Sequence, residues 1–392
     1  MQKTLKIILA LLITLLAAHF LSARFEIIKK SVAARDSIAY WAAARLLVHG
    51  SNPYDREAVL QLERQNDYQG DRPLILRTPP WSLILVLPLG FLSPLWAWVL
   101  WMAATLACLV TGMRLCRRLY GTGVPPNLLT LAGYVFAPVA ACLISGQIGM
   151  VLMVGLILFL IWEPNRPFLA GVALVLPFAK PHLLLLVWVI AVTWALLNKK
   201  HQVVVGFVSA LITASAISLL FDPHVFRHYA GMLGAASIQF EFIPALSGVL
   251  RLLFFRRFFW LQFVPMAAGL VWGLAFFIRL RSDWNWRVHM PPLLVVSLLT
   301  TPYAWFPDEC LLLPAMIQAT TFLYQARSGL KFFNRVGLTV LVLLNLMLLL
   351  ILRAQIPFST GIYFWSSLVW FFWYFHAHGL WSRVSRGKEG TS

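Results

Sequence analysis

Charged residues are scarce in this chain of 392 residues: only 12% are Asp, Glu, Lys or Arg, whereas 60% are hydrophobic. This deficit excludes a water-soluble domain of this size, in which about a quarter of the residues would be charged. Strand-like alternation of apolar and polar residues is also missing, which excludes a transmembrane barrel. Many apolar stretches approach the roughly 20 residues that cross a bilayer. The predicted fold class is therefore an all-α, polytopic transmembrane protein.

Cysteine is rare as well, and familiar catalytic motifs are absent. The four cysteines form no CxxC pair, and the nine histidines have no metal-ligand spacing. The sequence therefore predicts neither a disulfide framework nor a metal site. It contains no GxSxG, P-loop, dinucleotide-binding or HExxH motif, so no cofactor is expected.

Acidic residues are the scarcest charged type, 14 against 32 basic residues, and the net charge is +18. Basic residues of membrane proteins gather in cytoplasmic loops and at lipid headgroups. The excess therefore indicates contact with membrane lipids, and no nucleic-acid partner is expected.

The distribution of basic residues predicts an orientation. With the N-terminus inside, an uncleaved first crossing at 5–22, and segments 79–92 and 245–255 that do not cross, about 12 crossings remain. The inner segments then hold 17 of the 32 basic residues but three of the 14 acids, as the positive-inside rule expects. Residues 1–392 form one domain with two long outer loops, 23–78 and 221–259. All polar motifs of interest fall on the outer side.

Half of the acidic residues lie in the polar segment 24–78. Its centre predicts a short helix from about Asp36 to Val48, which Gly50 ends before a Ser-Asn-Pro-Tyr turn. Asp36, Tyr40 and Leu47 would share one helix face. A carboxylate and an aromatic ring would then point the same way at the membrane edge.

Two roles are open for Asp36. It could cap the helix, because aspartate at a helix start accepts free backbone N–H groups. It could instead be a general base, since partial burial at the membrane edge raises the pKa and basicity of a carboxylate. Asp55, after Asn-Pro-Tyr, indicates turn chemistry.

The other candidates interrupt apolar runs. Lys180, followed by a proline and His182, could extend to the headgroups or bind a phosphate. Gln147, after Gly146, could belong to a tight turn or donate to a sugar or phosphate.

Three more charged residues complete the candidate substrate-binding set. Asp308 could favour the dipole of a helix or face a cavity. Arg251 lies beside the polar Ser247-Gly248 and is a candidate for phosphate binding. Arg77 directly precedes Thr78-Pro79-Pro80.

These residues together resemble glycosyltransferase family 87 of the GT-C superfamily, the polyprenyl-phosphate-mannose-dependent transferases. The matching pieces, in family order, are Asp36, Tyr40, Gly50-x-Asn52-Pro53-Tyr54-Asp55, Thr78-Pro79-Pro80 with Pro88, Gly146-Gln147, Lys180-Pro181, Ala245-Leu-Ser247-Gly248 with Arg251, and Thr301-Pro302 with Asp308. The family's Tyr-Pro-Pro and Ser-Pro are Thr-Pro-Pro and Thr-Pro here, and the Asn often found after Gly-Gln is replaced. These departures bear on the donor sugar more than on the fold.

The resemblance implies transfer of a mannose-like sugar from a polyprenyl-phosphate donor to a lipid or glycan acceptor. It also implies that the aspartate of the first outer loop is the base. The active site would face the periplasm from the bacterial inner membrane. The alternative is a lipid or solute transporter or flippase, but such proteins often show paired repeats that are not evident here.

Overall fold

The computed structural model describes residues 35–235, 242–254, 258–326 and 331–389, and within these ranges the chain is helical with no strand. The predicted first crossing at 5–22 lies outside them. The α-helices run over Asp36–Val48, Arg56–Arg64, Pro94–Tyr120, Pro126–Tyr134, Ala137–Ser145, Gly149–Trp162, Pro167–Leu174, Leu185–Leu197, His201–Phe221, Val225–Ala235, Leu246–Phe254, Val264–Leu280, Trp286–Thr300, Leu313–Gln325, Lys331–Arg353 and Ser366–Glu389. Longer 3-10 segments cover Pro80–Leu85, Leu87–Phe91, Pro181–Leu184, Phe259–Phe263 and Phe306–Leu312.

The all-helical fold is confirmed for the described residues, but 12 crossings are not. Three helical stretches there are long and apolar enough to span a membrane: Pro94–Tyr120, His201–Phe221 and Phe259–Asp283. Two bent helix pairs raise the count to at most five. In one of them, Pro167–Ala179 and Pro181–Leu197 meet at 115°. The sequence suggested two separate crossings there, but the prolines at 177 and 181 interrupt the helix and turn the chain at Lys180.

Both segments predicted not to cross are short. Residues 80–91 form two 3-10 turns, and Leu246–Phe254 is a helix of nine residues. At 1.5 Å per residue such a helix is far shorter than the roughly 30 Å hydrocarbon core.

The helix Asp36–Val48 has the predicted bounds. Gly50 adopts φ +69° just past its end, a conformation that favours glycine. The two 3-10 turns pack closely across the helix, because a Cβ on Gly90 would lie 2.4 Å from the carbonyl oxygen of Ala44. Trp41 Nε1 donates to Leu92 O at 2.9 Å and an Arg45 N–H donates to Gly90 O at 3.0 Å. These contacts hold the middle and C-terminal half of the helix against the two 3-10 turns.

Candidate active site

A cavity of about 760 Å³ lies beside the N-terminal end of the helix Asp36–Val48. Six of the eight predicted site residues line it. The lining comprises Asp36, Ala39, Tyr40, Pro73, Leu74, Ile75, Leu76, Arg77, Thr78, Gln147, Lys180, His182, Phe242, Tyr303, Trp305, Pro357, Phe358 and Ser359. The remaining two, Asp308 and Arg251, lie behind this surface.

Four of the predicted residues form one continuous chain of hydrogen bonds. Gln147 Nε2 donates to Asp36 Oδ2 at 2.7 Å, and Lys180 Nζ donates to Gln147 Oε1 at 3.0 Å. Lys180 Nζ also forms an ion pair with Asp308 Oδ1 at 2.6 Å. Gln147, Lys180 and Asp308 are far apart in the sequence, and each interrupts or borders an apolar run. In the fold they lie together beside the helix that carries Asp36.

Asp36 does not cap its helix. The N-cap residue is Arg35, and no side chain caps this end. Asp36 Oδ2 accepts from Gln147, and Oδ1 has no hydrogen-bond partner in the part of the chain that the structure describes. Burial raises the pKa of Asp36, while the Gln147 hydrogen bond and the charge of Lys180 oppose this shift and the charge of Asp308 adds to it. This carboxylate therefore has a more basic character than one in water.

The Gly146 turn explains how Gln147 reaches Asp36. Gly146 has φ +72°, and a Cβ there would lie 2.9 Å from the Cβ of Ser37. Trp101 Nε1 donates to Gly146 O at 2.7 Å, which fixes the turn from the other side. Gly146 thus forms the tight turn, and Gln147 donates from it to Asp36. Donation by Gln147 to a sugar or phosphate stays a prediction.

Tyr40 lies one turn after Asp36 on the same face, as predicted. Its hydroxyl oxygen accepts from Ile148 N at 3.3 Å, and its ring contacts Trp101 edge to face at 5.2 Å between centroids. Tyr40 therefore ties the helix to the Gly146–Gln147 turn.

Tyr303 contacts both Arg77 and His182 on one wall of the cavity. Arg77 Nη1 donates to the Tyr303 hydroxyl at 3.3 Å, and the ring of His182 lies edge to face against Tyr303 with centroids 5.6 Å apart. Thr301 Oγ1 donates to the carbonyl oxygen of His182 at 2.9 Å. Lys180 keeps 14% of its side chain exposed.

Arg251 does not line the cavity. One of its N–H groups donates to Gln262 Oε1 at 2.8 Å, and its guanidinium lies over the ring of Phe259. Gln262 in turn donates to the carbonyl oxygen of Pro302. The structure therefore places Arg251 beneath the turn that follows Thr301, and its binding of phosphate stays a prediction.

Sequence reasoning did not single out several aromatic lining residues. Tyr303 and Trp305 lie inside the Thr301–Asp308 motif, so their positions carried a signal. Phe358 comes from the connection before the last helix and carried none, since an isolated phenylalanine in an apolar chain is unremarkable. Its ring lies tilted against those of Phe306 and Tyr363, and the residue lines the cavity.

Comparison with known proteins identifies the family. The model of glycosyltransferase family 87 matches residues 78–314. The chain belongs to glycosyltransferase family 87. It is accordingly a glycosyltransferase, and the resemblance inferred from its motifs is confirmed. No curated protein and no solved structure matches it. The matched range contains Gln147, Lys180 and Asp308, whereas Asp36 and Arg77 precede it.

Proposed function

We propose that this glycosyltransferase moves a mannose-like sugar from a polyprenyl-phosphate donor to a lipid or glycan acceptor, with Asp36 as the general base. The observation that carries the proposal is the free oxygen of Asp36. Gln147 and Asp308 are both bonded to Lys180, whereas Asp36 lines the cavity and has one oxygen that no described residue engages. A base needs such an oxygen within hydrogen-bond reach of the acceptor hydroxyl.

The reaction requires one proton transfer and one bond exchange. Asp36 Oδ1 takes the proton of the acceptor hydroxyl as its oxygen forms a bond to the anomeric carbon. The bond from that carbon to the phosphate oxygen breaks, and the polyprenyl phosphate leaves with the electron pair. Cations near the leaving group stabilise the charge that develops on it.

Lys180 suits the leaving phosphate because its ammonium has three N–H donors. Asp308 and Gln147 use two of them, and the side chain is partly exposed to the cavity. Arg77 adds a second cation, and His182 with Tyr303 adds polar contacts at the same wall. The aromatic residues Trp305 and Phe358 offer apolar surface for the sugar and the first isoprene units.

The donor class can be tested directly. Purified protein would receive radiolabelled mannosyl polyprenyl phosphate or the corresponding nucleotide-activated mannose, with a bacterial lipid extract as acceptor. Transfer from the lipid donor alone is expected. Transfer from the nucleotide sugar alone would contradict the proposal. Asp55→Asn, a substitution in the same polar segment away from the cavity, is the matched control.

The proposed site faces the periplasm from the bacterial inner membrane. The support is the distribution of basic residues, which leaves short outer connections poor in Lys and Arg. Cysteines introduced at the exposed Gln61 and Asn165 should react with an impermeant maleimide from opposite sides of the membrane. Labelling of both from one side would contradict this orientation.

A further inference from the structure

The Gln147 amide has only one orientation that satisfies both of its neighbours. An ammonium group donates and cannot accept, so the oxygen of Gln147 must face Lys180. The amide nitrogen is then directed to Asp36, and the distances of 3.0 and 2.7 Å agree with this assignment. The ion pair of Lys180 with Asp308 thus determines that Asp36 receives a donor and not a second acceptor.

The backbone around Gln147 is fixed at three successive residues. Gly146 O accepts from Trp101, Gln147 N donates to Cys142 O at 3.0 Å, and Ile148 N donates to the Tyr40 hydroxyl. The side chain of Gln147 therefore starts from a rigid base. A side chain that only borders a cavity would need no such anchoring.

We propose that Gln147 is a positioning residue, which holds Asp36 Oδ2 so that Oδ1 remains open to the acceptor hydroxyl. The inference rests on the proposed function, because it assigns Gln147 a task in presenting the base. It differs from the substrate-binding role that the sequence suggested. Substrate would contact Asp36, and Gln147 would act through it.

Charged and titratable groups around Asp36 influence its pKa and hence the pH dependence of transfer. The positive charge of Lys180 favours the ionised form of Asp36 and the negative charge of Asp308 disfavours it, while Tyr40, His182 and Arg77 border the same cavity. The hydrogen bond from Gln147 stabilises the ionised carboxylate, and its loss raises the pKa of Asp36. The rate of transfer falls at low pH, where the base is protonated; this fall is the acid limb of the pH–rate profile. Loss of the Gln147 hydrogen bond should therefore move the acid limb to higher pH.

Two substitutions separate positioning from substrate binding. Gln147→Met keeps the length and removes both hydrogen bonds. Gln147→Glu keeps an acceptor for Lys180 but replaces the donor to Asp36 by a negative charge. For Gln147→Met we expect a 10- to 100-fold loss of kcat, about the effect of one hydrogen bond to a charged group, with little change in donor KM. The acid limb should move up in both variants, and further in Gln147→Glu.

Protonation of Asp36 can also be followed without turnover. Infrared difference spectra of the purified protein across pH should contain a carboxylic-acid carbonyl band that is absent from Asp36→Asn, and this band should titrate at higher pH in both Gln147 variants. A raised donor KM with an unmoved acid limb would overturn the inference, as would an unmoved infrared titration. If Gln147→Met does not fold, Gln147→Glu decides between these results, with the double variant Gln147→Glu and Asp36→Asn as the spectral reference for the added carboxyl group.

Failure of Asp36 as the base and failure of Gln147 as the positioning residue would give different results. A fully active Asp36→Asn protein would remove the base, and with it the role of Gln147. An inactive Asp36→Asn protein together with an unmoved titration in the Gln147 variants would leave the base in place and remove the positioning role alone.

Discussion

Two regions of the molecule place acidic residues in its interior, and they differ in how many carboxylate oxygens have hydrogen-bond partners. In the segment Phe306–Leu312, all four carboxylate oxygens are engaged: those of Asp308 by Lys180 and Trp305 N, those of Glu309 by Ser366 and Trp370. In the helix Asp36–Val48, only one oxygen of Asp36 has a partner among the described residues. An acid with both oxygens engaged can hold structure, whereas an acid with a free oxygen can also accept a proton.

The largest expected effect comes from Asp36→Asn. The asparagine keeps an oxygen to accept from Gln147 Nε2, so folding and donor binding should be preserved. It cannot take a proton, and the transfer rate should fall about 10²- to 10⁴-fold. The measurement is transfer of labelled sugar by purified protein, with Tm in detergent as the folding control. Near-native turnover by a well-folded Asp36→Asn protein would show that Asp36 is not the base. The two regions would then not differ in the role of their acids.

Asp308→Asn should mainly lower the stability of the protein, whereas Asp36→Asn should mainly lower its transfer rate. Removing this carboxylate, which is 1% exposed, leaves the ammonium of Lys180 without its counter-charge. Breaking a buried ion pair on one side costs about 3–5 kcal/mol of unfolding free energy, so a marked fall in Tm is expected. The double variant Asp308→Asn with Lys180→Met should recover much of this loss. An Asp308→Asn protein of normal Tm but no activity would place Asp308 in the chemistry.

Glu309, the neighbour of Asp308, is the second acid of this segment with both oxygens engaged, and it should be purely structural. Its oxygens accept from Ser366 Oγ at 2.6 Å and from Trp370 Nε1 at 2.8 Å, which ties the last helix to this segment. Glu309→Leu leaves the buried N–H of Trp370 unpaired, whereas Ser366 Oγ can still donate to the carbonyl oxygen of Tyr363. The change should cost about 1–3 kcal/mol, the scale for one unsatisfied buried group. Glu309→Gln should retain most of the stability, since its oxygen can accept from Trp370 and its nitrogen can donate to Ser366 Oγ. Equal Tm values for the two variants would contradict this account.

The sequence predicted those features whose causes are local. The helix Asp36–Val48 is ended by Gly50 and a turn, and both signals lie in adjacent residues. The candidates Gln147 and Lys180 were found because polar groups that interrupt apolar runs must have partners. Seven of the eight candidates belong to one cavity or directly support it, with Asp308 behind Lys180.

The rest depends on contacts between distant residues. The partners of Lys180 are 33 and 128 positions away, so no local pattern gave the orientation of the Gln147 amide. The polar neighbours of Arg251 in the sequence indicate a phosphate site, yet Ser247 donates to Thr301 O and Arg251 donates to Gln262. The number of crossings was counted from apolar runs, and that count treats a sharply bent pair at Lys180 as two spans.

The smallest effect is expected at Asp55, an acid of the same polar segment as Asp36. Asp55 Oδ1 accepts from Glu57 N and Ala58 N, both at 2.9 Å, so the residue caps the helix Arg56–Arg64. Asp55→Ala should lower stability by about 1 kcal/mol, and Asp55→Asn should keep most of the cap, because asparagine caps helices nearly as well. Both variants should retain transfer activity, measured against their Tm values. A rate loss in Asp55→Asn without a change in Tm would mean that this carboxylate also takes part in the chemistry, and an engaged oxygen would then no longer distinguish a structural acid from a base.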